Sequence, residues 1–192
     1  ILMNLLAFFA PTKTTFSYRF LSSPFSLVLL GTIFLVAMAQ IAVPLPFTPV
    51  MLSMLPLAIF LLASHLGSKK ASLAVALYLL QATLGLPVFA NFASQPLWFL
   101  LPKAGYYFGF VFIAYFMGKL FEKFQPFKLI AIGSIFALGE ILLLMCGSLW
   151  LGYFVGWEKA FLLGAAPFLP GAFVKITIAT CVKKFSTCSF LN

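Results

Sequence analysis

Long stretches without a charged residue most restrict what this chain can fold into. Positions 20–68, between Arg19 and Lys69, hold 49 residues and no Asp, Glu, Lys or Arg. Of the 192 residues, 8% are charged and 64% are hydrophobic, whereas about a quarter of an ordinary soluble domain is charged. Since a water-exposed surface needs more charge than this, we predict that lipid surrounds most of the chain.

The acidic residues are too few for several classes of enzyme and metal site. The chain contains Glu122, Glu140 and Glu158, and no Asp. Carboxylate-dyad hydrolases, EF-hand calcium sites and acidic metal cages are excluded because their ligands are missing. There is also no GxxxxGK[ST] motif to hold ATP phosphates and no HExxH zinc motif. We therefore expect no metal, no cofactor and no catalytic residue.

Prolines and charges divide the apolar sequence into six predicted membrane-spanning helices. A spanning helix needs about 20 mainly apolar residues, so positions 20–68 hold two crossings. Pro44, Pro46 and Pro49 mark the turn between them, because proline resists helix interiors. A long irregular loop at 87–103 follows the third helix. The predicted spans are 26–43, 50–66, 71–86, 104–121, 128–150 and 160–182.

The basic residues predict the orientation of this all-α membrane protein. With six spans, both termini lie on the same side as the loop between spans two and three and the loop between spans four and five. This side holds nine of the twelve Lys and Arg residues. Lys103 and Lys159 lie on the other side, and Lys175 lies within the last span. Because cytoplasmic loops are enriched in Lys and Arg, both termini are predicted to be cytoplasmic. The predicted parts are a cytoplasmic or interfacial segment at 1–25, the membrane domain at 26–182 and a cytoplasmic tail at 183–192.

Two ionisable residues fall inside predicted spans. Glu140 and Lys175 differ in depth by roughly 7 Å at 1.5 Å per residue, a distance that a lysine side chain bridges. An ionisable group in the bilayer centre costs about 2.5–3.5 kcal/mol and usually faces a cavity or a partner. The two residues are therefore either a structural ion pair or part of a ligand site.

Other polar and small residues suggest contacts without deciding their kind. The 87–103 loop contains Asn91, Gln95, Trp98 and Lys103, which suit either a ligand or an ordinary membrane interface. A GxxxG pattern at 105–109 predicts close helix packing or contact with a partner.

Four motifs occur in order along the chain. They are QIAVPLPFTP at 40–49, ALYLL with GLPVFA at 76–90, PKAGYYFGF at 102–110 and PFLPGAFVK at 167–175. Together they resemble the BioY family, the biotin-specific substrate-binding (S) components of energy-coupling factor (ECF) transporters. The resemblance implies the six-helix S-component fold in a bacterial cell membrane, with biotin bound near the outer face. It also implies a transmembrane coupling protein and ABC-type ATPases as partners, and no enzymatic activity.

The resemblance also implies binding residues. Asn91 corresponds to the polar loop after GLPVF, Tyr106 to the family's Gly-Tyr pair, and Gly171 and Lys175 to its Gly-Asp-x-x-Lys pattern. Biotin offers two ureido N–H groups, a carbonyl and a carboxylate; Asn91, Gln95 or Glu140 would accept from the ureido group, and Lys175 or Lys103 would meet the carboxylate. The predicted substrate-binding residues are Asn91, Gln95, Tyr106, Glu140, Gly171 and Lys175.

One departure keeps other functions open. Ala172 stands where the family pattern has Asp. A buried N–H left unpaired costs about 1–3 kcal/mol, so either another acceptor substitutes or the ligand is a different vitamin-like molecule. Further alternatives are a structural protein that uses the GxxxG face and an intramembrane enzyme. The single histidine, His65, argues against the enzyme, and we expect it not to face its helix neighbour Ser64.

Overall fold

Most of the described chain is helical. The computed structural model describes residues 23–44, 51–126 and 128–189. Within these ranges the α-helices are α1 Pro24–Ala39, α2 Leu55–Leu66, α3 Ser68–Thr83, α4 Ala104–Phe124, α5 Leu129–Val155, α6 Trp157–Gly164 and α7 Leu169–Ser189. Six of them are long, and the eight-residue α6 leads into α7. The predicted all-α fold with six crossings is confirmed.

Three helical segments in the described ranges are long and apolar enough to cross a membrane. They are α4, α5 and the segment Trp157–Thr187, which includes α6 and most of α7. Helices α1 and α2 are apolar but shorter. Large apolar side chains point away from the bundle, among them Ile33, Phe112 and Phe173, as expected when lipid rather than water surrounds a protein.

The first two helices are shorter than predicted because two strands lie between them. Helix α1 ends at Ala39, four residues before the expected end. Strand β1 (Ala42–Val43) pairs antiparallel with β2 (Leu52–Ser53), and α2 starts at Leu55. Pro46 and Pro49 of the predicted turn lie outside the described residues. The short sheet nevertheless brings the two sides of this turn together.

The sixth span is interrupted, which differs from the single predicted helix 160–182. After α6 the chain makes a 3₁₀ turn at Ala166–Phe168 before α7 begins. Pro167 and Pro170 lack the N–H groups that a continuous helix would use here. Helix α7 then continues to Ser189, so residues 183–189 of the predicted tail are helical.

Helix α4 is surrounded by other helices, and glycines permit the close contacts. A Cβ added to Gly105 would overlap Trp150 and the Cys146 carbonyl of α5, and one added to Gly109 would lie 3.2 Å from Cys146 Cβ. The GxxxG pair therefore packs α4 against α5 inside the molecule. At the other end of α4, a Cβ on Gly118 would overlap backbone atoms of Ser68.

At that end of the bundle, the Glu122 carboxylate binds the backbone at the turn between α2 and α3. Gly67 makes the turn with a φ of +80°, a conformation that favours glycine. Glu122 of α4 then accepts hydrogen bonds from the Ser68 backbone N–H (2.6 Å) and hydroxyl (3.1 and 3.0 Å). These bonds satisfy donors at the start of α3, where the helix dipole also favours negative charge.

A lysine of α7 donates a hydrogen bond to the backbone at the end of α2. Lys183 Nζ donates to the Ser64 carbonyl at 2.6 Å and lies 5.7 Å from the centre of the Phe121 ring. The expectation that Ser64 and His65 do not meet is wrong, because Ser64 Oγ lies 3.0 Å from His65 Nδ1. The same nitrogen lies 2.9 Å from the Leu61 carbonyl, which places the imidazole against its own helix.

We predict that Gly118→Ala destabilises the fold. The added methyl group would overlap the backbone of Gly67 and Ser68, which cannot move aside as a flexible side chain can. Overpacking of this kind costs about 1–3 kcal/mol. The measurement is the thermal unfolding midpoint of the purified protein in detergent. Gly133→Ala is the matched control, because its Cβ would lie 3.5 Å from Thr180 Oγ1, an ordinary contact. Equal midpoints for the two variants would contradict the prediction.

Candidate functional site

A cavity of ≈ 110 Å³ lies at the end of the bundle opposite the Glu122 cluster. The ends of α1 and α3, strand β2, the 87–103 loop and the beginnings of α2, α4 and α7 meet here. Its wall contains both apolar and polar side chains: Leu52, Ser53, Tyr78, Phe89, Gln95, Lys103, Tyr106, Tyr107, Phe110, Glu140, Leu143, Phe168 and Lys175 are among them. An apolar pocket with a few polar groups is the usual form of a small-molecule site.

Gln40 holds the 87–103 loop over this cavity. Its Nε2 donates to the Phe89 carbonyl at 3.1 Å, and its Oε1 accepts from the Phe92 backbone N–H at 3.0 Å. The Tyr78 hydroxyl donates to the Val88 carbonyl at 3.2 Å. This role of Gln40 was not predicted, although a lone amide directly after an apolar helix was a signal for it.

The loop places an aromatic wall on one side of the cavity. Phe89 is buried and stacks on Tyr107, with ring centroids 4.8 Å apart and an interplanar angle of 24°. Tyr78 meets Phe89 edge to face at 5.9 Å, and Trp98 meets Tyr107 in the same way at 5.5 Å. Such a wall provides a flat apolar surface for a ring-shaped ligand.

Lys103 is the cation nearest to this wall. Its Nζ lies 5.8 Å from the centroid of Phe89 and 5.9 Å from that of Tyr107, within the range of a cation–π contact. Burial lowers the pKa of the Lys103 ammonium below its ordinary value. A ligand anion at this position would offset the cost of burying the charge.

A buried ion pair forms another part of the cavity wall. Lys175 Nζ lies 2.6 Å from Glu140 Oε1, and the side chains are 4% and 3% exposed. The expectation that a lysine side chain bridges the difference in depth between α5 and α7 is confirmed. Among the described residues, Glu140 Oε2 has no hydrogen-bond partner, and neither does Gln95 Oε1. Both are buried acceptors, so each can take an N–H group of a ligand.

The structure brings four of the six predicted site residues to the cavity. They are Gln95, Tyr106, Glu140 and Lys175. The Tyr106 hydroxyl donates to the Gly164 carbonyl and so holds the end of α6. The hydroxyl proton is therefore already used, and the ring and the hydroxyl oxygen are the parts left to a ligand.

Asn91 and Gly171 lie outside the cavity wall. Asn91 is exposed, in the left-handed conformation with a φ of 57°, a region that asparagine tolerates better than most residues. A Cβ on Gly171 would lie 2.7 Å from Leu52 Cδ1, so this glycine lets α7 approach the cavity residue Leu52. Direct contact between a ligand and Asn91 or Gly171 stays a prediction.

Comparison with known proteins identifies the family. The sequence model of the BioY family matches residues 12–188. This chain belongs to the BioY family. It is 36% identical to the biotin transporter BioY of Thermotoga maritima over 141 residues, which cover 73% of this chain and 82% of that protein. It is 29% identical to the probable biotin transporter BioY of Rickettsia prowazekii, covering 81% of this chain and 78% of that protein.

A solved structure shows the same fold. The crystal structure of the S-component for biotin from an ECF-type ABC transporter superposes with a TM-score of 0.78. The alignment covers 90% of this chain and 93% of the other at 19% sequence identity. The predicted S-component fold is thus confirmed. Because the BioY family consists of membrane transport proteins and not enzymes, the intramembrane enzyme alternative is dropped.

We predict that Gln40→Leu loosens the 87–103 loop. The Phe92 N–H would lose its acceptor and the Phe89 carbonyl its donor, since both bonds go to the Gln40 side chain. Amide hydrogen exchange in a peptide covering 87–93 should become faster. Gln81→Leu, a substitution of the half-buried glutamine of α3, serves as the control and should leave this peptide unchanged. Identical exchange in the two variants would show that Gln40 does not hold the loop.

Proposed function

We propose that this protein binds biotin in the cavity between the aromatic wall and the Glu140–Lys175 pair. It then delivers the vitamin to the cytoplasm as the S component of an ECF-type ABC transporter. The observation that carries the proposal is the pairing of a flat apolar wall with buried, unused hydrogen-bond acceptors in a member of the BioY family. The names of the relatives and of the superposed structure point to the same ligand.

The groups of biotin match the groups of the cavity. Its fused ring system is apolar and fits against Phe89 and Tyr107. Its ureido N–H groups need acceptors, which Glu140 Oε2 and Gln95 Oε1 provide. Its carboxylate needs a cation; of the two lysines in the cavity wall, Lys175 is paired with Glu140, and Lys103 has no ion-pair partner among the described residues. Glu140 thereby supplies the carboxylate that the family pattern has at the position of the buried Ala172.

The placement of charge supports a cavity at the outer face. Lys69 and Lys70 lie in the first turn of α3 and Lys123 lies in the last turn of α4, all at the end of the bundle opposite the cavity. Lysines are enriched on the cytoplasmic side of membrane proteins, so both termini lie in the cytoplasm in this proposal. The six-helix domain at 26–182 then binds the ligand, and the segments 1–25 and 183–192 flank it.

The proposed setting is a bacterial cell membrane, with energy supplied by partners. The sequence has no phosphate-binding loop of its own. A transmembrane coupling protein and ABC-type ATPases would therefore drive release of biotin into the cell.

Equilibrium binding of radiolabelled biotin to the purified protein tests the proposal. We expect saturable binding that Lys175→Ala weakens by at least about tenfold, because a hydrogen bond to a charged group is worth about 1.5–3 kcal/mol. Lys159→Ala is the matched control, since Lys159 is exposed on α6 and outside the cavity. No saturable binding at concentrations up to micromolar would contradict the proposal, and saturable binding of another radiolabelled vitamin in its place would favour the alternative ligand.

The Lys175→Ala variant needs a partner experiment, because it leaves the Glu140 carboxylate buried alone. Breaking one half of a buried ion pair costs about 3–5 kcal/mol, whereas neutral replacement of both halves is often tolerated. Glu140→Gln/Lys175→Met removes both charges and should keep the thermal unfolding midpoint near that of the wild type while losing biotin. Retained binding in this folded variant would remove the ion pair from the site.

A further inference from the structure

We infer that Glu140 decides which ligands the cavity accepts. It would select a neutral group in which an N–H stands beside a carbonyl, –NH–C(=O)–, as in a cyclic urea or lactam. The inference rests on the proposed function, because the ureido ring of biotin is such a group. It goes further by making one carboxylate on α5 the residue that sets selectivity.

The two oxygens of Glu140 have different surroundings. Oε1 receives the Lys175 ammonium at 2.6 Å, and Oε2 has no partner among the residues that the structure describes. The residue is 2% exposed and lines the cavity. A carboxylate oxygen buried without a donor costs free energy, and a ligand N–H at this position recovers it. Binding would therefore require a donor on the ligand.

Lys175 provides the complementary group. An ammonium has three donors, and the hydrogen bond to Glu140 uses one of them. A ligand carbonyl beside the N–H can accept another of these donors. The two residues thus present an acceptor next to a donor, which is the arrangement that –NH–C(=O)– complements.

The net charge of the pair explains why the recognised group is neutral. Glu140 and Lys175 compensate each other at 2.6 Å in a site that water hardly reaches. A cation or an anion placed beside them would be buried without a counter-charge, which is costly. Within the described residues Lys103 has no ion-pair partner, so the cavity wall retains one uncompensated cation for an anionic tail of the ligand.

The test compares biotin with two nearly isosteric analogues. Each analogue is a cyclic carbamate in which one ureido N–H is replaced by an ether oxygen. Loss of the N–H bonded to Glu140 should weaken wild-type binding by about 10- to 100-fold, the equivalent of about 1.5–3 kcal/mol. Glu140→Gln should weaken the binding of biotin by a similar factor. It should bind the analogue that lacks this N–H about as well as biotin. The measured quantity is the ratio of the affinities for biotin and for this analogue, which should fall to about one in the variant.

The controls separate selectivity from a structural role. Glu158→Gln removes an exposed carboxylate of α6 and should leave all three affinities unchanged. Thermal unfolding without ligand reports whether Glu140→Gln keeps its fold, because this variant leaves the Lys175 ammonium buried without its counter-charge.

Two results would overturn the inference. One is an unchanged affinity of Glu140→Gln for biotin. The other is an equal loss of affinity for biotin and both analogues, which would show that Glu140 only supports the fold. If the wild type binds biotin, either result counts against this inference alone. Absence of biotin binding by the wild type would overturn the proposed function and this inference with it.

Discussion

In lipid, every buried polar group must find its partner inside the protein, and this constraint shapes the whole molecule. Helices satisfy most of the backbone, which leaves the helix ends and loops to be satisfied by side chains. At one end Gln40 bonds backbone groups of Phe89 and Phe92. At the other end Glu122 and Lys183 bond the backbone at Ser68 and Ser64. Gln40, Glu122 and Lys183 thus each bond backbone groups at one end of the bundle.

The same constraint explains how much of the fold could be predicted from the sequence. Positions of charges and prolines located the six helices, because a charge inside lipid is costly and proline resists helix interiors. Element ends were less accurate: the strand pair Ala42–Val43 with Leu52–Ser53 and the break around Pro167 depend on local packing that hydropathy does not encode. The site was predicted in part for the same reason. Glu140 and Lys175 stood out as ionisable residues in apolar helices, whereas Gln40 lay within the predicted first span, 26–43, and its role was missed.

The exposed Asn91 shows that a sequence motif does not specify the direction of a side chain. Its place after GLPVFA suggested a ligand contact, which stays a prediction; Gln40 donates to the neighbouring Phe89 carbonyl, Phe89 is buried and Asn91 is exposed. Which residues of a short loop face a cavity depends on backbone conformation, and here Asn91 and Phe92 both have positive φ. No pattern of residue types in this loop specifies that geometry.

The three acidic residues differ in how completely the protein satisfies them, and this difference locates the site. Glu158 lies exposed in the first turn of α6. Glu122 is also at a helix end, and both of its oxygens accept hydrogen bonds from Ser68. Glu140 is the most deeply placed, yet only one of its oxygens is bonded. At the lysine-rich end, the protein satisfies both oxygens of Glu122. Beside the cavity it satisfies only one oxygen of Glu140, and the other is left as an acceptor for a ligand.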